Sequence, residues 1–422
     1  GTPRARQSAM MAPLRTTLKR ALPPGCRRTS SRRGWFHSPG PSTGSRGRSA
    51  TTPAGTAAPA PVDRPFELAG VCPNPVVIQT DWYPESEYGA TYNLVGDGYK
   101  VDAKRKLVRG PMVVDGKATG VDVEVRSGGP AINFARISEQ MYTDREITLG
   151  YVNTEQAAQL YAKSPTLSVA APMDISPGVI MWSPDRHPDW NTMVDIGQDD
   201  NAKVLVTADD LFPQYLLGTG ILRANQIDGS YDGSRQKFID SDGKIAQGGF
   251  ATSEPYVYQH DIPEWGKPIA FQLVHDTGFE AYTQTMSIRS GDKDRLAPCL
   301  RKLVPLIQRS IVEFATKPDR TNALIIKLVE QYNDPIWVYG PELAKFSVSQ
   351  QLDLGIVGNG PDQTIGNFDL ERVAADPHAA DHLDELLDPG RRRARPASPR
   401  RRRGTGDGER LSKPRHGAAG QN

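Results

Sequence analysis

The chain has 422 residues, 37% of them hydrophobic, and a formal net charge of +2. Its charge is unevenly spread: residues 1–62 carry eleven Lys and Arg and no acid, residues 390–422 carry eleven against Asp407 and Glu409, and 63–389 is left near −18. Basic tails rich in Arg, Pro, Gly and Ser bury too little apolar surface to fold. The acidic body has room for two domains, and no apolar run reaches the roughly 18 residues of a membrane span.

Met11 to Arg20 has the charged start of a secretion signal, and Gly25-Cys26 has the end of a lipoprotein signal. The apolar segment between them is missing, and Pro23-Pro24 stands in its place. As written this is not a working signal peptide; both tails read like GC-rich DNA translated out of frame, which would erase one. Of the three cysteines, Cys72 and Cys299 lie in the body. They are either inert buried thiols or one disulfide suited to an oxidising compartment. No CxxC or Cys/His cluster points to zinc.

Along the body, Pro75 to Thr80 predicts a short strand, followed by Asp81-Trp82-Tyr83-Pro84 and a helix over Glu85–Leu94. Lys100 to Gly120 is polar with turn signals, a hairpin or irregular insert. Val121 to Val125 alternates as a strand, Ser127-Gly128-Gly129-Pro130 breaks it, and Ala131, Ile132, Phe134, Ile137 and Met141 recur at helical spacing. A strand over Ile147–Tyr151 and a helix opening at Asn153-Thr154-Glu155 follow. Thr166–Ala171 and Val179–Trp182 are further apolar runs. A second series has strands over Val204–Thr207, Gln226–Asp228 and Lys244–Phe250, with helices over Asp209–Leu217 (capped by Asp209) and Ser234–Ile239. Strands return over Lys267–His275 and Tyr282–Arg289, before helices over Asp294–Ala315, Arg320–Tyr332 and Pro341–Leu354. Two α/β lobes, the first completed by the C-terminal helices, is the economical reading.

Two strand-to-helix junctions about twenty residues apart place helix N-termini at the carboxyl ends of neighbouring strands, where open α/β sheets bind ligands. Ser127, Gly128 and Gly129 are expected to offer N–H groups and a hydroxyl there, as are Asn153 and Thr154, with Thr207 from the facing lobe; singly, each would be an ordinary helix cap. Trp82, Tyr83 and Tyr256 are candidates to stack on a flat ring, against the alternative of filling the core. Glu254 either accepts hydrogen bonds from a ligand or pairs with a cation across the hinge, and Asp276 either joins it or caps the turn at Thr277-Gly278. No Lys or Arg falls in these loops except Arg126, directed away. Aromatics with carboxylates suit a neutral or amine-bearing nitrogen heterocycle better than a sulfonate or nitrate.

These segments resemble the substrate-binding proteins of ABC importers of the nitrate/sulfonate/taurine and thiamine-pyrimidine-precursor group, over about residues 71–373. Ser127-Gly128-Gly129-Pro130-Ala131-Ile132 is similar to that family's SGPAA-like loop. Ile147 to Val152 is similar to its following strand, without the family's Asp, and Lys244 to Tyr256 to its GKVDA…WEPY region, with Ser253 in place of Trp. Trp82 sits at the family's aromatic after the first strand. The resemblance implies an α/β, two-lobed type II periplasmic-binding-protein (Venus-flytrap) fold, each lobe a mixed sheet flanked by helices. Its implied division is a basic tail over 1–62, lobe I over 63–172 and 273–375, lobe II over 173–272, and a tail over 376–422. Crossings fall near Ala170–Ile180 and Phe271–Phe279. It also implies a monomeric, extracytoplasmic protein without cofactor, passing a small ligand such as a pyrimidine or vitamin precursor to a membrane permease.

A pyrimidine-synthase-like enzyme on the same fold would need a cysteine cluster for iron and a cofactor-holding Lys beside a reactive His. Here Cys72 and Cys299 are far apart, and His187, His260 and His275 follow no nucleophile or metal spacing. Arg391–Arg393 and Arg400–Arg403 would attract phosphate, but the acidic body opposes it and no nucleic-acid-reading motif accompanies them.

Overall fold

The computed structural model describes residues 66–375 apart from Asp209 and Asp232; the tails, Cys26 and the Asp209 cap lie outside the described residues. Twelve strands are described: β1 (Val76–Gln79), β2 (Lys100–Asp102), β3 (Leu107–Val114), β4 (Lys117–Arg126), β5 (Leu149–Val152), β6 (Thr166–Ala170), β7 (Gly178–Trp182), β8 (Val204–Leu205), β9 (Ile227–Asp228), β10 (Ala246–Phe250), β11 (Ala270–Leu273) and β12 (Thr285–Arg289). They form a seven-stranded sheet in the order β2-β3-β4-β1-β5-β12-β6 and a five-stranded sheet in the order β11-β7-β10-β8-β9.

At the centre of the first sheet β1 runs parallel to both β4 and β5, with Ile78 opposite Val125 on one side and Leu149 on the other. A strand covered on both faces is an unbroken apolar run rather than an alternating one, and all four residues of β1 are buried. β12 runs antiparallel between β5 and β6. In the second sheet β8, β9 and β10 are parallel, and β7 is antiparallel to β10 and β11. Both sheets are thus mixed and flanked by helices, the architecture that the resemblance implies.

The 100–120 segment is a hairpin: β2 and β3 extend the first sheet, and the β3–β4 turn uses Asp115 and Gly116, both at positive φ (50° and 69°), as a two-residue hairpin turn with the native strand twist requires. Two expected helices come out differently. The one after Pro130 splits into a 3-10 turn, Gly129–Ile132, and a helix, Ile137–Thr143. Asn133 and Phe134 between them are left-handed (φ 55° and 57°), which ends helical hydrogen bonding, and the Phe134 ring lies 5.9 Å from that of Trp82. The Glu85–Leu94 helix is a 3-10 turn, Ser86–Tyr88, running into one helical turn, Gly89–Tyr92. This short element is entirely buried; a Cβ on Gly89 would lie 2.1 Å from the Phe314 ring.

Helices Lys293–Thr316 and Asp319–Tyr332 close the core of the first sheet, Leu303, Ile307, Ile325 and Leu328 sharing one buried apolar cluster with Ile78, Val123 and Met286. The second sheet has its own apolar layers, around Trp182 and Leu216 on one side and Phe238, Tyr258 and Trp265 on the other. The chain passes from one sheet to the other at 171–177 and returns at 274–284. The two crossovers touch through the Thr283 hydroxyl, which donates to Ser176 at 2.7 Å.

Cys72 and Cys299 are joined as a disulfide, tying the segment before β1 to the helix Lys293–Thr316. A cross-link spanning 227 residues removes much unfolded-chain entropy, and losing a native disulfide typically costs about 2–5 kcal/mol. The Cys72→Ser/Cys299→Ser double variant is expected to lose about that much unfolding free energy in denaturant titration, and reductant should shift the midpoint of the wild type but not of the variant.

Candidate ligand-binding site

Because β4, β1 and β5 are parallel, their carboxyl ends share one edge, and Ser127, Asp81 and Asn153 follow them there. β12, antiparallel, brings Gln284 to the same edge. From the second sheet, the turn after β10 supplies Thr252 and Glu254.

The expected loop donors are engaged within the chain. The Ser127 N–H donates to Lys106 O at 3.0 Å and the Gly128 N–H to Trp82 O at 3.0 Å. The Ser127 side chain is buried and turned toward the Tyr92 and Tyr332 hydroxyls. The two glycines serve close approach: a Cβ on Gly128 would lie 2.2 Å from Thr80 O, and Gly129, at φ 57°, abuts the Trp82 ring. Asn153 and Thr154 hold the second crossover. Asn153 Oδ1 accepts from the Gln284 N–H at 2.7 Å, while the Thr154 N–H donates to Tyr282 O at 3.0 Å and its hydroxyl accepts from the Tyr282 N–H at 2.9 Å. Local satisfaction wins because a buried backbone donor must find a partner whether or not a ligand is bound.

The aromatics separate. Tyr83 is 2% exposed, its ring in the core and its hydroxyl donating to Asp334 at 2.5 Å. Trp82 is half-buried, 5.9 Å from both Phe134 and Trp337. Tyr256 packs on His260 and on Phe346 of the helix Pro341–Asp353. Thr207 and Asp276 are exposed; Thr207 bridges to Ser230, and Asp276 sits in a turn ending at Gly278, φ 93°.

What gathers between the sheets is carboxyl groups. Glu254, 8% exposed, accepts from the Phe250 N–H at 2.7 Å and the Ser253 hydroxyl at 2.6 Å. Facing it are Glu85 and Glu87, 5% and 4% exposed, close enough to feel its charge. Asp81 accepts from the Tyr88 hydroxyl at 2.8 Å and lies 3.5 Å from the Gln284 amide nitrogen, which also donates to Tyr88 at 2.8 Å. Among the described residues no Lys or Arg forms an ion pair with any of these four acids. Burial pushes Asp81 up to about 6 against the Tyr88 hydrogen bond, and pushes Glu87 up to about 7 against the Thr252 hydroxyl. Glu85 is raised well above the usual carboxylate range, first by burial and then by Glu87, Asp81 and Glu254.

Asp81, Glu85, Glu87 and Gln284 were not expected at the site. The signal was the run DWYPESEY over 81–88, with three acids and no base; a helix over 85–94 would have turned some of them to solvent. Gln284 is 2% exposed and left-handed, φ 55°, and residues held in that region cluster where surroundings over-determine them.

No family model and no curated protein matches the chain. Solved structures similar to it include the periplasmic aliphatic sulphonate binding protein SsuA from Escherichia coli, with 13% identity, 75% of this chain and 88% of that chain covered, and a TM-score of 0.47. An ABC transporter from Parabacteroides distasonis is 11% identical, covering 75% and 94% with a TM-score of 0.44. The alkanesulfonate-binding protein SsuA from Xanthomonas axonopodis pv. citri, bound to MOPS, is 10% identical, covering 75% and 94% with a TM-score of 0.43.

A carboxyl whose folded pKa is raised holds its proton longer in the folded than in the unfolded state, so its contribution to stability falls as pH rises through that interval. For Glu87 the interval runs from 4.5 to about 7. Glu87→Gln is therefore expected to match the wild type near pH 4 and to exceed it at pH 8 by on the order of 3 kcal/mol, measured by denaturation across that range.

Proposed function

We propose that the chain is the extracytoplasmic solute-binding component of an ABC importer. It captures a small nitrogen-bearing ligand, such as a pyrimidine or vitamin precursor, between two closing lobes and delivers it to a membrane permease. The observation that carries this reading is the meeting of Thr252 and Glu254, at the end of β10, with Glu85 and Glu87, beyond the end of β1, beside two crossovers that join the sheets. Groups from separate sheets that face one another near a pair of connecting segments are brought together by closure and parted by opening.

The chemistry is capture. Ligand bridging the sheets strengthens polar contacts as water leaves, and the closed form is selected because it alone makes both sets of contacts. Carboxyl and amide oxygens gathered between the sheets suit nitrogen-bearing ligands and oppose sulfonate or nitrate. The Cys72–Cys299 disulfide fits an oxidising, extracytoplasmic compartment.

A thermal-shift screen of the full chain against nitrogen heterocycles, sulfonates and nitrate tests the reading, with small-angle scattering on any hit. A ligand at about a hundred times its dissociation constant stabilises by about 2.7 kcal/mol, a shift of several degrees, and compaction should accompany it. Hits confined to sulfonates would overturn the ligand class. No hit in any class, with no compaction, would overturn solute capture.

A further inference from the structure

We infer that the ligand carries a nitrogen cation with N–H donors, an ammonium or amidinium group, held between Glu85 and Glu87 on one side and Glu254 on the other, and that this charge draws the two sides together. The inference rests on the solute-capture reading and specifies the charge of what is captured.

Unmatched hydrogen-bonding capacity is one support. Glu87 Oε2 and Gln284 Oε1 are buried acceptors without a partner. The Gln284 amide nitrogen is fixed between the Tyr88 hydroxyl and Asp81, which leaves the amide oxygen as its open end. The Thr252 hydroxyl, fully buried on the opposing side, faces Glu87 without a partner in hydrogen-bonding geometry. Most buried polar atoms are satisfied, so the Gln284 oxygen left open beside Tyr88 and Asp81 calls for a donor. A cationic N–H group fills such positions with charge-assisted hydrogen bonds.

The charge distribution is the second support. Glu85, Glu87 and Glu254 come from two sheets and press on one another, and among the described residues no Lys or Arg forms an ion pair with them. The groups facing them are Asp81, Tyr88, Tyr92 and Tyr339, with Ser347 and Thr252, and on the second-sheet side Tyr258, which feels both Glu254 and the Arg235 guanidinium; among the described residues Arg235 forms no ion pair with the three acids. Closing the cleft with these acids ionised is opposed by like-charge repulsion; a cation between them reverses the sign. Among the described residues no group of three or more His, Cys, Asp or Glu has the arrangement to hold a metal ion, so an organic cation with directional donors is the better fit. Raised carboxyl pKa values follow from the same geometry, and a bound cation would push them back down, releasing protons.

The test pairs cations with neutral isosteres on the full-length protein: benzamidine with benzamide, guanidinium with urea, and benzylamine with benzyl alcohol, with taurine and calcium chloride as further arms. Binding is read by thermal shift and calorimetry in two buffers of different ionisation enthalpy. At least one cation is expected to bind tenfold or more tightly than its isostere, with proton release and an affinity that rises at least tenfold from pH 5 to pH 8. Glu87→Gln and Glu254→Gln should each lose at least tenfold in cation affinity. Glu87→Gln should do so while the ligand-free protein gains stability at pH 8, a combination that damage to the fold cannot produce. Equal binding of isosteres, preference for taurine, or a shift with calcium and no organic cation would each overturn the inference. If neutral or anionic compounds bind with compaction, solute capture stands without the cation. If neither this panel nor the wider screen gives binding or compaction, both fail.

Discussion

The arrangement depends on the parallel alignment of β4, β1 and β5. Parallel neighbours bring their carboxyl ends to one edge, and the antiparallel entry of β12 adds Gln284 to it. Asp81, Asn153 and Gln284 inherit their position from that geometry, while Thr252 and Glu254 come from the turn after β10 of the second sheet. It also explains why the alternating and unbroken apolar patterns differ along the chain: β1 is covered on both faces, while the outer half of β4 alternates between exposure and burial.

The cost of this geometry lies in the carboxyls. Burying an acid without a cation is unfavourable when it ionises, and Asp81, Glu85 and Glu87 respond by holding their protons to higher pH. Such perturbation is commoner at functional sites than elsewhere. The contrast with Arg126 is instructive: its guanidinium pairs with Glu124, Asp144 and Glu146 at 2.6–2.7 Å. That triad is a structural ion-pair network, and the 81–87 acids have nothing comparable.

The connection between the sheets is held in several places. Asn153 and Thr154 fasten the returning crossover to β5, and Thr283 fastens it to the outgoing one. Arg372, near the end of the described chain, donates to Asp174 O at 2.6 Å on the first crossover and to Glu280 O at 2.5 Å and Ala281 O at 3.3 Å on the second. Its guanidinium also covers the Tyr282 ring at 3.7 Å. Residues 356–372 thus brace both crossovers, and Asp174 and Ile175 add hydrogen bonds to Ile356 O.

The sequence alone determined most of the elements and their order, though not the hairpin over 100–120 or the broken helices after Glu85 and Pro130. β1, β5, β10 and the long C-terminal helices were legible because periodicity is local, set by which face each residue presents. The junction at 127–130 was legible as a junction, but its role was not: whether a Ser or Gly N–H faces a ligand or Lys106 O depends on a chain segment twenty residues away. Cys72 and Cys299 were legible as candidates, and only their approach across 227 residues made them a pair. The acids at 81, 85 and 87 read as a polar turn and a helix start. Burial against a second sheet, which no local pattern encodes, turned them into a site together with Glu254 and Gln284. Local preference wrote the strands and helices; tertiary packing decided which polar atoms were left without partners.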